Sequence, residues 1–201
     1  MGDTTKTGAH AFLVRFADTV RGLSDARVVA ETACRMLALG LASERAHWSE
    51  VDWSTREFVL ASRFVADGVP DTMAGRYPLD GWEPVTSTLL VGRSTITDDP
   101  ESDDGLPDSV RKNLTRLAIG ARIAVPVMSE GTLRAVLSVN QSTPRKWTPE
   151  EIALVEGVAA RCWAEVERTR AEQALRASIT DREHAELKLR ESEERQTFLL
   201  A

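Results

Sequence analysis

The apolar positions of this chain fall into three regimes. In the first, Phe12, Phe16, Val20 and Leu23 recur every three or four residues and predict a helix over residues 11–23. Ser24 or Asp25 can cap a second helix, in which Val29, Ala33, Met36 and Leu37 share a face to about Leu41, with Gly40 near its end. The period then shortens. Residues 45–52 (RAHWSEVD) and 57–65 (EFVLASRFV) read as strands across a polar turn, with short strands expected at 76–79 and 94–97. Residues 82–91 and 109–118 read as helices closed by Gly92 and Gly120, the second with Val110, Leu114 and Leu117 inward. The clearest sheet signal is residues 121–128 (ARIAVPVM) and 132–140 (TLRAVLSVN) around Ser129-Glu130-Gly131. It predicts a β-hairpin, with Pro126 marking an edge strand or a bulge.

The third regime starts at Thr148-Pro149-Glu150-Glu151, where Thr148 can cap, Pro149 suits the first helical position and Glu151 completes a capping box. No proline follows Pro149 and no glycine follows Gly157, so a helix to about Leu199 is expected, roughly 75 Å long. Its first turns (Ile152, Val155, Val158, Ala159) can pack on the sheet; the rest needs a partner. Ala171, Leu175, Ser178, Arg182, Ala185, Leu189, Ser192, Gln196 and Leu199 alternate at four and three residues, a loose heptad seam with a phase shift expected near Arg168. This predicts a coiled coil in a parallel homodimer; a solvated tail is the plain alternative.

Composition narrows the class. A chain of 201 residues with 42% hydrophobic and 28% charged positions is one domain plus an extension, with enough apolar material for a core. No run approaches the ~20 apolar residues of a membrane span, and the N-terminus lacks the basic and apolar regions of a secretory signal. Net charge −6 without a basic stripe argues against nucleic acid as a partner. Two distant cysteines, Cys34 and Cys162, fit a reducing, cytoplasmic setting.

Motifs for chemistry are sparse. His10, His47 and His184 have no metal-ligand spacing, and His47 reads as a surface strand residue. The acidic stretch Asp98–Asp108 lacks an ordered calcium-loop spacing and reads as a solvated loop. Phosphate-cradling and nucleophile-elbow motifs are absent. Trp82 is placed at a pocket mouth.

The order helix–helix–strand–strand–helix–strand–helix–hairpin–long helix resembles a GAF domain. Val125-Pro126-Val127 followed by Gly131-Thr132-Leu133-Arg134-Ala135-Val136-Leu137 is similar to the family's hairpin, and Arg145-Lys146-Trp147-Thr148-Pro149-Glu150-Glu151 to its entry into the last helix. Leu189-Arg190-Glu191-Ser192-Glu193-Glu194-Arg195 resembles the linker of bacterial sensor histidine kinases. Gln196-Thr197-Phe198-Leu199-Leu200 echoes His10-Ala11-Phe12-Leu13-Val14, as if entering a further GAF or PAS unit. The resemblance implies an α+β fold: an antiparallel sheet, helices on one face and a ligand cleft on the other, then a long coiled-coil helix. It divides the chain into a disordered tail (1–10), a sensory domain (11–164) and a signalling linker (165–201). It implies a cytoplasmic, non-enzymatic module of a two-component system, with a small molecule near Tyr77, Trp82, Leu114 and Ile119 and kinase or sensory domains downstream. The cyclic-nucleotide signature NKxxFxxxDE and the Cys-His pair that anchors bilins are missing, so the cofactor stays unknown. A ligand-free dimerisation spacer is the alternative. A methionine-sulfoxide reductase is a minor one, because Cys34 and Cys162 lack a thiolate-stabilising context.

Overall fold

The computed structural model describes the backbone of residues 2–73 and 75–199, and the side chains of residues 8–73, 75–188 and 190. Two helices open the fold, α1 (Gly2–Val20) and α2 (Ala26–Gly40). The antiparallel strands β1 (Arg45–Asp52) and β2 (Glu57–Val65) follow, then β3 (Arg76–Pro78), α3 (Val85–Leu90), β4 (Thr95–Thr97) and α4 (Asp108–Arg116). The hairpin β5 (Ala121–Ser129) and β6 (Thr132–Gln141) leads into α5 (Pro149–Leu199). The six strands form one antiparallel sheet in the order β3-β2-β1-β6-β5-β4.

The local signals act as the residues predict. Asp25 accepts a hydrogen bond from the Arg27 backbone N–H at 2.8 Å and starts α2. At α5, the Thr148 N–H donates to Glu151 Oε2 (2.9 Å) and the Glu151 N–H donates to Thr148 Oγ1 (3.2 Å), a reciprocal capping box. The hairpin turns on Glu130 (φ 52°) and Gly131 (φ 72°), both left-handed, as a two-residue turn matched to strand twist requires. Pro126 needs no donor on its outer side because β4 pairs only with Arg122, Ile123 and Ala124. The register slips just after it, between Val127 and Met128.

Two expectations change. The segment 1–10, read as a disordered tail, is helical from Gly2, and Ala9 packs against the core. His47, read as a surface residue, is 1% exposed, because the second face of the sheet is covered too. The seam residues Leu189, Ser192, Gln196 and Leu199 and the echo at Gln196–Leu200 lie outside the described side chains.

On one face, α1, α2 and the first turns of α5 cover Ala46, Trp48, Ile123, Val125, Leu137 and Val139. Trp48 stacks on Trp163 of α5 with ring centroids 6.4 Å apart. Gly40 lets α1 come close: a Cβ there would sit 2.5 Å from the Phe12 ring. From Val155 to Thr169 the inner face of α5 is buried; beyond Glu172 every described residue of the helix is exposed in the single chain, including Leu175, Ile179 and Leu187.

Candidate functional site

The other face carries the candidate site. Because side chains alternate along a strand, the residues of β1, β5 and β6 that do not meet the long helices point here. Register aligns them in rows. Arg45, Asn140 and Arg122 stand side by side across β1, β6 and β5, and His47 stands beside Ser138 in the next row. Short helices and loops roof them, with Val85, Leu89, Val110, Leu114, Leu117 and Ile119 packed on Ala124, Leu133 and Val136.

Among the described residues, β1, β5 and β6 bury four polar side chains on this face. Arg45 (1% exposed) donates from Nη1 to the Leu117 carbonyl at 2.9 Å, and from Nη2 to the Ala118 carbonyl. Its charge therefore sits at the C-terminal end of α4, where unpaired carbonyls carry negative partial charge. Asn140 Nδ2 donates to His47 Nδ1 at 3.0 Å, which fits a neutral imidazole. Burial and the nearby Arg45 charge hold His47 down at about 4.

Arg122 differs from Arg45. It is 9% exposed, and its Nε and Nη2 have no hydrogen-bond partner. Its guanidinium carbon lies 5.8 Å from the Trp82 ring centroid, a cation–π contact that consumes no N–H. Burial alone lowers its pKa to about 10, with no carboxylate to offset it. It lines a cavity of about 70 Å³ with Ser49, Phe58, Met73, Tyr77, Trp82, Val85, Thr86, Leu89, Ala124, Val136 and Ser138.

Of the four residues expected at the cleft, Tyr77 and Trp82 line this cavity. Leu114 and Ile119 do not; they are 0% and 4% exposed and pack behind the wall, in the same apolar cluster. Sequence reasoning missed Arg122, Ser49 and Ser138. The signal for Arg122 was a lone charge inside the apolar run ARIAVPVM. Among the described residues no cluster of three or more His, Cys, Asp or Glu could hold a metal ion. The acidic loop is fastened by Arg111, whose Nη2 donates to the carbonyls of Asp103 and Leu106, each at 3.1 Å.

A GAF domain family model matches residues 22–166. The chain belongs to the GAF domain family. Solved structures agree on the fold. The blue-light absorbing form of the Thermosynechococcus elongatus PixJ GAF domain is similar at TM-score 0.65 and 23% identity, covering 77% of this chain and 92% of that one. The GAF domain of a phosphoenolpyruvate-protein phosphotransferase from Coxiella burnetii gives TM-score 0.67 at 17% identity, covering 83% and 96%. The chromophore-binding domain of an unusual bacteriophytochrome from R. palustris gives 0.72 at 10% identity, covering 81% of this chain and 62% of that one. At these identities the likeness speaks for the fold. No curated protein matches. Family membership brings a typically sensory or regulatory role, and no described helix of this GAF domain is long and apolar enough to cross a membrane.

Proposed function

We propose that this GAF domain is a sensory module of a signalling protein, binding a small molecule in the Arg122–Trp82 cavity and relaying its occupancy through α5 in a parallel homodimer. One observation carries the reading: β1 touches both the cavity and the helix. Ser49 lines the cavity. Its neighbours turn the other way. Trp48 stacks on Trp163, and Glu50 pairs with Arg170 at 2.5 Å. The register of β1 against β2 slips between Trp48 and Ser49, where Ala61 of β2 has no partner, and that irregularity beside β1 can take up small shifts. A ligand acts by binding one arrangement of β1 better than another.

The overhang of α5 supports the dimer. A helix with Leu175 63% and Ile179 49% exposed gains by pairing those residues with a second copy. A downstream kinase of a two-component system, in the cytoplasm, is the output that suits such a helix. The reading assigns no catalysis. Cys34 and Cys162 are 0% exposed, and burial pushes both thiols well above their ordinary range, which suppresses the thiolate a reductase would use.

The test combines native mass spectrometry of the freshly purified chain with disulfide crosslinking of Ile179→Cys. A dimer is expected, and its crosslinking rate should change severalfold when Ser138→Leu fills the cavity. A dimer whose crosslinking ignores that substitution would make the domain a structural spacer. A monomer would remove the relay.

A further inference from the structure

We propose that the cavity takes a small carboxylate with a compact apolar body, its oxygens accepting hydrogen bonds from the unpartnered nitrogens of Arg122. The inference rests on the cavity being the sensory site and adds the chemical class of its ligand.

Three observations converge. First, the charge is uncompensated. Arg45, two strands away on the same row, meets the carbonyls that end α4, whereas Arg122 leaves Nε and Nη2 without acceptors in a buried setting. Unpaired buried donors are costly, and a guanidinium presents them in a fork that fits the two oxygens of a carboxylate. Secondly, Arg122 is the only charged residue among the described residues lining the cavity, so the site matches one negative charge. A phosphate dianion would call for further cations or a ring of backbone N–H groups. Thirdly, the remaining wall is mainly apolar and aromatic: Phe58, Met73, Val85, Leu89 and Val136 would surround a hydrocarbon body. The Thr86 hydroxyl is already committed, donating to the Leu79 carbonyl at 2.8 Å. A neutral ligand would leave the arginine's charge without a counter-charge, and a cation would be repelled.

The cavity is small, so the acid must be short-chained, branched or a single ring. Trp82, against the guanidinium and in the segment entering α3, is the side chain placed to move over the bound body. The carboxylate would then replace missing acceptors while the aromatic contact stays, which requires no second charge from the protein.

The experiment titrates the whole chain with benzoate and isovalerate, against benzamide as a neutral isostere and inorganic phosphate. The readouts are the thermal midpoint and the Arg122 Nε–H resonance in a ¹H–¹⁵N spectrum. At least one of the two acids should raise the midpoint saturably and shift that resonance, with benzamide and phosphate doing neither. Arg122→Gln should weaken the acid by about tenfold or more, the usual worth of a hydrogen bond to a charged group. Equal binding of benzamide, or unchanged acid binding in Arg122→Gln, would overturn the carboxylate class and leave the cavity as a ligand site. Binding of phosphate alone, or a silent response to all four probes, also overturns it. The sensory reading is judged separately, by the crosslinking response of Ile179→Cys to Ser138→Leu.

Discussion

Trp48 and His47 are neighbours on β1, at 0% and 1% exposure, yet they are buried into different media. Trp48 enters a face filled by aliphatic and aromatic side chains from three long helices. His47 enters a face where Arg45, Asn140 and Arg122 share the interior with a smaller apolar cluster. The first face uses burial to gain stability. The second spends some of that gain to keep polar groups dry, which is where recognition has most leverage, because charge interactions strengthen as water is excluded.

That contrast can be broken from either side. Trp48→Ala should cost the most, about 4 kcal/mol, since it empties a large volume against Trp163 and the helices; urea unfolding measures it, and a loss under 1 kcal/mol would deny the tight packing claimed for that face. The polar face should respond to acid. His47 sits at about 4 in the fold against 6.5 in an open chain, so the folded protein binds fewer protons between those values. Its contribution to stability is whole above pH 6.5, drains as pH falls through the interval, and levels off below about pH 4, a total of roughly 3 kcal/mol. Stability followed across that range should fall less steeply in His47→Gln; parallel curves would refute the assignment.

Arg122→Met should move the other way, stabilising the ligand-free domain by about 2 kcal/mol, because an unpaired buried charge gives way to a side chain that suits the apolar wall. A destabilised variant would mean that Arg122 is already satisfied. The smallest effect is expected at Arg170→Ala. Its ion pair with Glu50 is partly exposed, at 42% and 29%, and its loss should cost about 0.5 kcal/mol or less. The crosslinking of Ile179→Cys is a finer gauge of that contact than stability.

The difference between the faces also marks how far the sequence could be read. Alternation in ARIAVPVM and TLRAVLSVN placed the hairpin, and Thr148 and Glu151 placed the start of α5, because those signals are local. Alternation also says which face is the main core. It does not say whether the opposite face meets water or a second layer. His47 therefore looked like a solvent-facing residue and Arg122 drew no notice, and only the packing of α3, α4 and their loops reveals both as interior. The same gap explains why two of the four residues expected at a cleft line this cavity and two do not. Trp82 and Tyr77 are large aromatics in short, turn-rich segments and reach the cavity, while Leu114 on α4 and Ile119 just after it pack in the apolar cluster behind it.

The projecting part of α5 is also a protractor. Each residue of an α-helix turns the chain by about 100°, so seven residues fall about 20° short of two full turns. The angular position of anything carried at the far end is thus fixed by residue count as well as by the domain that grips the near end between Val155 and Thr169. One added residue in the exposed stretch would turn the far end of the helix by about 100°, while seven would nearly restore its direction at greater reach. The helix is in this sense a dial as well as a spacer, and its setting is written in length.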